Sequence, residues 1–121
     1  MISDLWKYGI SGDNPILLVK INSIEDVYVI EENERFIGEL TVNYISHDLL
    51  SETIPNIRVY FEAFRIDKKY QGKGLGKKLI EYTINDLKEK GFKEFTIGVE
   101  EDNERAKHIY FKYGFTKAID Y

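Results

Sequence analysis

Cysteine is absent from the 121 residues. Disulfide scaffolds, thiol redox centres, cysteine nucleophiles and thiolate metal sites are therefore excluded. Long apolar runs are lacking too: in residues 1–20 the longest unbroken aliphatic stretch is Ile16-Leu17-Leu18-Val19, closed by Lys20. A membrane helix needs about twenty apolar residues in a row, and nothing here resembles a signal peptide. A cytoplasmic location without membrane contact is the default expectation. Proline occurs only twice, and no Gly/Ser/Pro linker, repeat or low-complexity tract divides the chain. One domain over residues 1–121 follows, of a size able to bury roughly two-thirds of its unfolded surface. A basic excess is also missing, and a net charge of −4 disfavours nucleic acid as a partner.

What is present is an ordered globular composition, 43% hydrophobic and 31% charged. The charge is uneven. Arg65, Lys68, Lys69, Lys73, Lys77 and Lys78 face only Asp67 between residues 65 and 78, a local +5 that leaves −9 for the rest of the chain. A solvated face would account for such a block; its glycines suggest more.

Strand patterns come first. Pro15 to Asn22 precedes Val27-Tyr28-Val29-Ile30, which joins Arg35 to Val42 through Glu31-Glu32-Asn33-Glu34 as a hairpin. An irregular stretch, Ile45 to Asn56, has room for one helical turn. From Ile57 to Ile66 strict alternation puts Ile57, Val59, Phe61 and Ala63 on one face and Tyr60, Phe64 and Ile66 on the other, with Glu62 the exception there. A strand apolar on both faces is expected to be central. Apolar positions Leu75, Leu79, Thr83, Ile84 and Leu87 predict a helix from about Gly74 to Lys90, stopped by Gly91. Phe92 to Val99 reads as a strand, Asn103 to Tyr113 as a short helix ended by Gly114, and Phe115 to Tyr121 as a last strand. The fold class is α/β, a mixed, mostly antiparallel sheet with one βαβ crossover over residues 57–99.

Gln71-Gly72-Lys73-Gly74-Leu75-Gly76-Lys77 lies where the central strand turns into the long helix. Glycines permit conformations and close approach that side chains block. No Ser, Thr, Asp or Asn stands at the capping position, and Lys77 and Lys78 come before the first acid, Glu81, the reverse of what the helix dipole favours. Uncapped amides, glycine and lysine together describe a cradle for phosphate. The P-loop would need Gly at position 71 and Ser or Thr at 78, where Gln71 and Lys78 stand. The dinucleotide motif would need Gly at 77 or 79, where Lys77 and Leu79 stand.

The pattern [Q/R]-x-x-G-x-[G/A] is met by Gln71, Gly74 and Gly76. With the approach Phe64-Arg65-Ile66-Asp67-Lys68-Lys69-Tyr70, and with Asn103-x-x-Ala106-x-x-x-Tyr110-x-x-x-Gly114-Phe115 downstream, residues 58–115 resemble the GNAT N-acyltransferase superfamily. Lys68 departs from the family's usual proline. The resemblance implies that acetyl-CoA is the cosubstrate. It places the backbone of Phe64, Arg65 and Ile66 on the pantetheine arm. Gln71, Gly72, Lys73, Gly74, Leu75, Gly76 and Lys77 would hold the pyrophosphate, and Asn103 would reach the pantetheine arm or act as a helix N-cap, or both. Tyr110 matches the tyrosine that gives a proton to the departing thiolate; Tyr113, one turn on, is the plain core aromatic beside it. Glu62, a carboxylate on a face otherwise apolar, is a candidate base for an ammonium acceptor. His47 and His108 are weaker candidates. No metal-ligand pattern and no Ser/His/Asp arrangement occurs, so direct transfer is expected, not an acyl-enzyme.

Glu100, Glu101, Asp102 and Glu104 around Asn103 would favour a cationic acceptor if they border its cleft. The acceptor is expected to be a small amine, a polyamine, or a lysine or N-terminal amine of a peptide. Two other readings use the same loop: a weakly catalytic acyl-CoA-binding sensor, and an anion-stabilised interaction domain. Family members usually place two helices between their first two strands and end with a further strand. Here only Ser23 to Asp26 separates the first strand patterns. An open acceptor cleft is expected, or one completed by a second subunit in a homodimer.

Overall fold

The computed structural model describes residues 4–5, 15–46 and 52–117. Among these residues six strands lie in chain order across one sheet: β1 (Asp4–Leu5), β2 (Ile16–Lys20), β3 (Glu25–Glu32), β4 (Arg35–Asn43), β5 (Arg58–Ile66) and β6 (Glu94–Ile97). Neighbours are antiparallel except β5 and β6, which run parallel and are joined by helix α1 (Leu75–Glu89). Helix α2 (Glu104–Lys112) follows β6. The mixed sheet and its single crossover are those expected from the strand and helix patterns.

The β3–β4 hairpin turns on Asn33 and Glu34, at φ 51° and 63°. Two consecutive left-handed residues make the turn whose twist matches a two-residue hairpin. In the stretch from Ile45 to Asn56, the described residues form a turn closed by an Ile54–Arg58 bridge and no helix. Phe115 to Lys117 are irregular, not strand, and the remainder of the expected last strand lies outside the described residues.

One face of the sheet carries the main core. Tyr28, Ile30, Leu40, Val42, Val59 and Phe61 pack under Leu79, Ile80 and Leu87 of α1, each fully buried aliphatic contributing about 1.5–3 kcal/mol. Ile80, which the helical pattern did not single out, is 1% exposed. The Thr83 hydroxyl is buried but donates to the Leu79 carbonyl at 2.9 Å.

The expected faces of β5 require correction. Phe61 pairs with Val42 and Phe64 with Leu40, so three steps along β5 match two along β4. This is a β-bulge at Glu62 and Ala63, which inserts one residue and inverts the alternation beyond it. Val59, Phe61, Phe64 and Ile66 therefore share the core face. Glu62 is not the odd residue of a buried apolar face; it is exposed on the opposite side.

Candidate active site

The bulge also resets the backbone. The amide of Asp67 donates to the Ile37 carbonyl at 2.8 Å, which makes Gly38–Ile66 a non-hydrogen-bonded pair of the ladder. By alternation Phe64 and Ile66 turn their amides and carbonyls away from β4, and Arg65 turns its own toward Glu39. Among the described residues only β6 lies beyond β5, and its pairing stops at Phe61–Ile97. The second half of β5 thus presents the amide and carbonyl of Phe64 and the amide of Ile66 to an edge that no strand among the described residues covers. Arg65, expected there with them, is committed to β4 by its backbone and to Glu39 by its guanidinium at 2.5 Å.

That edge leads into the glycine loop. A short 3-10 turn, Lys68–Tyr70, carries the chain round, and the Gln71 side-chain amide donates back to the Ile66 carbonyl at 2.9 Å. Gln71 thereby fastens the loop to the strand end. Gly72 and Gly74 hold φ 78° and 80°, a left-handed region that costs other residues roughly 1–2 kcal/mol. Gly74 is the N-cap of α1, with no side-chain cap and no acid in the first turn. The consecutive amides of Gly72 to Lys77 have no acceptor among the described residues. Four unpaired amides are normal at a helix start; here the run extends into the loop. Gly76 has a different reason for being glycine. A Cβ there would lie 3.1 Å from the Tyr113 hydroxyl and 3.2 Å from the Phe64 ring, so its small size serves internal packing.

Phe64 is the hub of the aromatic floor. Its ring centroid lies 6.2 Å from Tyr110 and 6.3 Å from Tyr113. Burial raises both phenols above their ordinary value near 10, and for Tyr110 the neighbouring Tyr113 adds to it. Both are neutral at physiological pH. Asn103 caps α2, its Oδ1 accepting from the Ala106 amide at 3.1 Å.

On the opposite face Glu62 accepts from Asn43 Nδ2 at 3.0 Å. Tyr60 stands on the same face, its hydroxyl 2.6 Å from where a Cβ on Gly98 would be. Sequence reasoning missed Asn43 and the bulge. The signal for the bulge was the three-residue interval between Phe61 and Phe64 in a strand otherwise spaced by two; nothing marked Asn43. Glu100, Glu101 and Asp102 lie exposed beyond β6, where Lys107 Nζ reaches the Glu101 carbonyl. His108 is exposed on α2, and His47 lies outside the described residues. Among the described residues no cluster could hold a metal ion, and no helix is long and apolar enough to cross a membrane.

A family model for the acetyltransferase (GNAT) family matches residues 7–115. The chain belongs to the GNAT family. It is 30% identical over 90 residues to N-alpha-acetyltransferase 30 of Schizosaccharomyces pombe, covering 74% of this chain and 57% of that protein. It is 43% identical over 61 residues to a probable spermine N(1)-acetyltransferase of Bacillus subtilis subsp. natto, covering 50% and 40%. The chain spans about half the length of these curated relatives. The structure of aminoglycoside N-acetyltransferase AAC(6')-Iy in complex with CoA superposes with a TM-score of 0.64 at 18% identity, covering 83% of this chain and 76% of that one. That likeness shows the GNAT fold. In this GNAT domain the glycine loop, the open β5 edge and the two phenols converge on Phe64.

Proposed function

We propose that the protein is an acetyl-CoA-dependent N-acetyltransferase acting on a primary amine. The observation that carries this reading is the run of acceptor-free amides from Gly72 to Lys77 beside the open edge of β5. Those amides fit a pyrophosphate, because an anion satisfies donors that no side chain caps and complements the helix dipole. Lys73, Lys77 and Lys78 add positive charge around it. The outward amide and carbonyl of Phe64 and the amide of Ile66 suit the amides of a pantetheine arm, the Ile66 carbonyl being held by Gln71, and Asn103 keeps its Nδ2 for the same arm while Oδ1 caps α2.

Acetyl-CoA, when bound, supplies an acetyl group activated as a thioester. Glu62, directly or through one water, takes a proton from the ammonium form of the acceptor so that the nitrogen lone pair can attack. Tyr110, held neutral by burial, gives its phenolic proton to the departing sulfur. As the C–N bond forms and the C–S bond breaks, the nitrogen sheds a second proton, which returns Tyr110 to its phenol, while the first leaves Glu62 to solvent. Gly72 to Lys77 fix the position of the donor, which is the larger part of such catalysis.

An N-alpha-acetyltransferase and a spermine N(1)-acetyltransferase among the relatives support an amine acceptor; a cationic small amine, polyamine or peptide amine is the class we assign. Calorimetric titration with acetyl-CoA tests the donor site, and CoA thiol release across an amine panel tests the reaction. No heat of binding would overturn the reading. Binding without turnover on any amine would replace it with an acyl-CoA sensor.

A further inference from the structure

We infer that Asn43 is a positioning residue for Glu62, fixing which carboxylate oxygen meets the acceptor; this rests on the reading of Glu62 as proton acceptor. Asn43 ends β4 and pairs across the ladder with Tyr60. Its side chain is only 8% exposed, so its rotamer is set by the fold. Oδ1 accepts from the Ile45 amide at 2.9 Å, an Asx turn that decides which end of the amide is which. Nδ2 must then point the other way, where it donates to Glu62 Oε1 at 3.0 Å.

The consequence for Glu62 is geometric. It stands at the bulge, where the ladder is interrupted, and its side chain is exposed, with the freedom that glutamate has on a surface. A single bond from a buried, doubly engaged amide removes much of that freedom. Oε1 is occupied and Oε2 is the oxygen left to take a proton. The bulge and Asn43 act together: the first places Phe64 and the cofactor edge on one side, the second holds the carboxylate on the other side one residue before Ala63. Pre-orienting a base this way raises turnover without adding a contact to substrate.

The test uses Asn43→Asp, which keeps an oxygen for the Ile45 amide and replaces the donor by a second carboxylate. Like charges at this distance raise the proton affinity of one of the pair. The acid limb of kcat/KM is expected to move to higher pH, with kcat reduced more than KM is raised, and Glu62→Gln is expected to lose that limb. A readout independent of turnover, and of whether the substituted protein folds well, comes from the parent itself. In NMR titration of the uncomplexed protein the Asn43 side-chain amide should shift with the same midpoint as the Glu62 carboxyl, and should not titrate in Glu62→Gln. An Asn43 amide that does not follow Glu62, or an unmoved acid limb in a folded Asn43→Asp, overturns the inference while leaving the acetyltransferase reading intact. A parent protein that acetylates no amine overturns both.

Discussion

The amide of Phe115 donates to the carbonyl of Tyr110 at 3.0 Å, and the two rings lie 6.2 Å apart, edge to face. With Gly114 at φ 103° and its amide on the Phe111 carbonyl, this is a Schellman turn complete with its apolar contact. The Gly114-Phe115 pair thus has a local mechanical task. It ends α2 and clamps the tyrosine that would serve the leaving group. Gly114→Ala is expected to destabilise the fold by about 1–2 kcal/mol, since Ala pays the left-handed penalty. Urea denaturation with an unchanged midpoint would contradict this.

Gly76 and Tyr113 should be coupled. Gly76→Ala places a methyl 3.1 Å from the Tyr113 hydroxyl, and Tyr113→Phe removes that oxygen. The double variant is expected to be more stable than the sum of the single losses by roughly 0.5–1 kcal/mol, the range for residues in contact. Additive values in a thermal or denaturant cycle would show that the methyl is absorbed elsewhere.

Tyr110 carries a pH expectation with a definite sign. Burial raises its folded pKa above the ordinary value of 10.0, so the folded state favours the neutral phenol. The associated stability is complete below about pH 10 and is lost as pH rises through the raised value. The alkaline limb of turnover should lie above pH 10 and disappear in Tyr110→Phe, with kcat falling on the order of tenfold or more. A limb retained in Tyr110→Phe would assign it to another group.

The far end of α1 is tied to the sheet by Tyr28, whose hydroxyl donates to Asp86 at 2.5 Å while Lys90 pairs with the same carboxylate at 3.0 Å. Burial first, and then the bond to Asp86, push the Tyr28 phenol far above its ordinary range. Tyr28→Phe is expected to cost about 1.5–3 kcal/mol, as for hydrogen bonds to charged groups. The loss should be constant below pH 10 and shrink above it. Equal denaturation midpoints at neutral pH would refute the assignment.

Gln71→Ala removes the bond to the Ile66 carbonyl without touching the core. Stability should change by less than about 0.5 kcal/mol, as expected for a surface site. Acetyl-CoA affinity should fall about fivefold, equivalent to roughly 1 kcal/mol. Calorimetry showing unchanged affinity would mean that the loop holds its shape without the side chain.

The long helix, the two glycine stops and the crossover were all legible, because periodicity, Gly91 and Gly114 act over a few residues. So were the glycine loop and the Asn103 cap, whose chemistry is also local. The sequence by itself determined that a helix would begin without a cap amid lysines, and that a neutral tyrosine would follow one helix later. Only the tertiary structure decided where these meet. One inserted residue at Glu62 and Ala63 reverses the faces of β5, brings Phe64 under Tyr110 and Tyr113, and aims the Phe64 and Ile66 backbone at an open edge. Strict alternation misassigns that strand because a bulge depends on the register of the neighbouring β4, which β5's own pattern does not contain. The Asn43–Glu62 bond is hidden for the same reason: residues nineteen apart become neighbours only when two strands settle side by side.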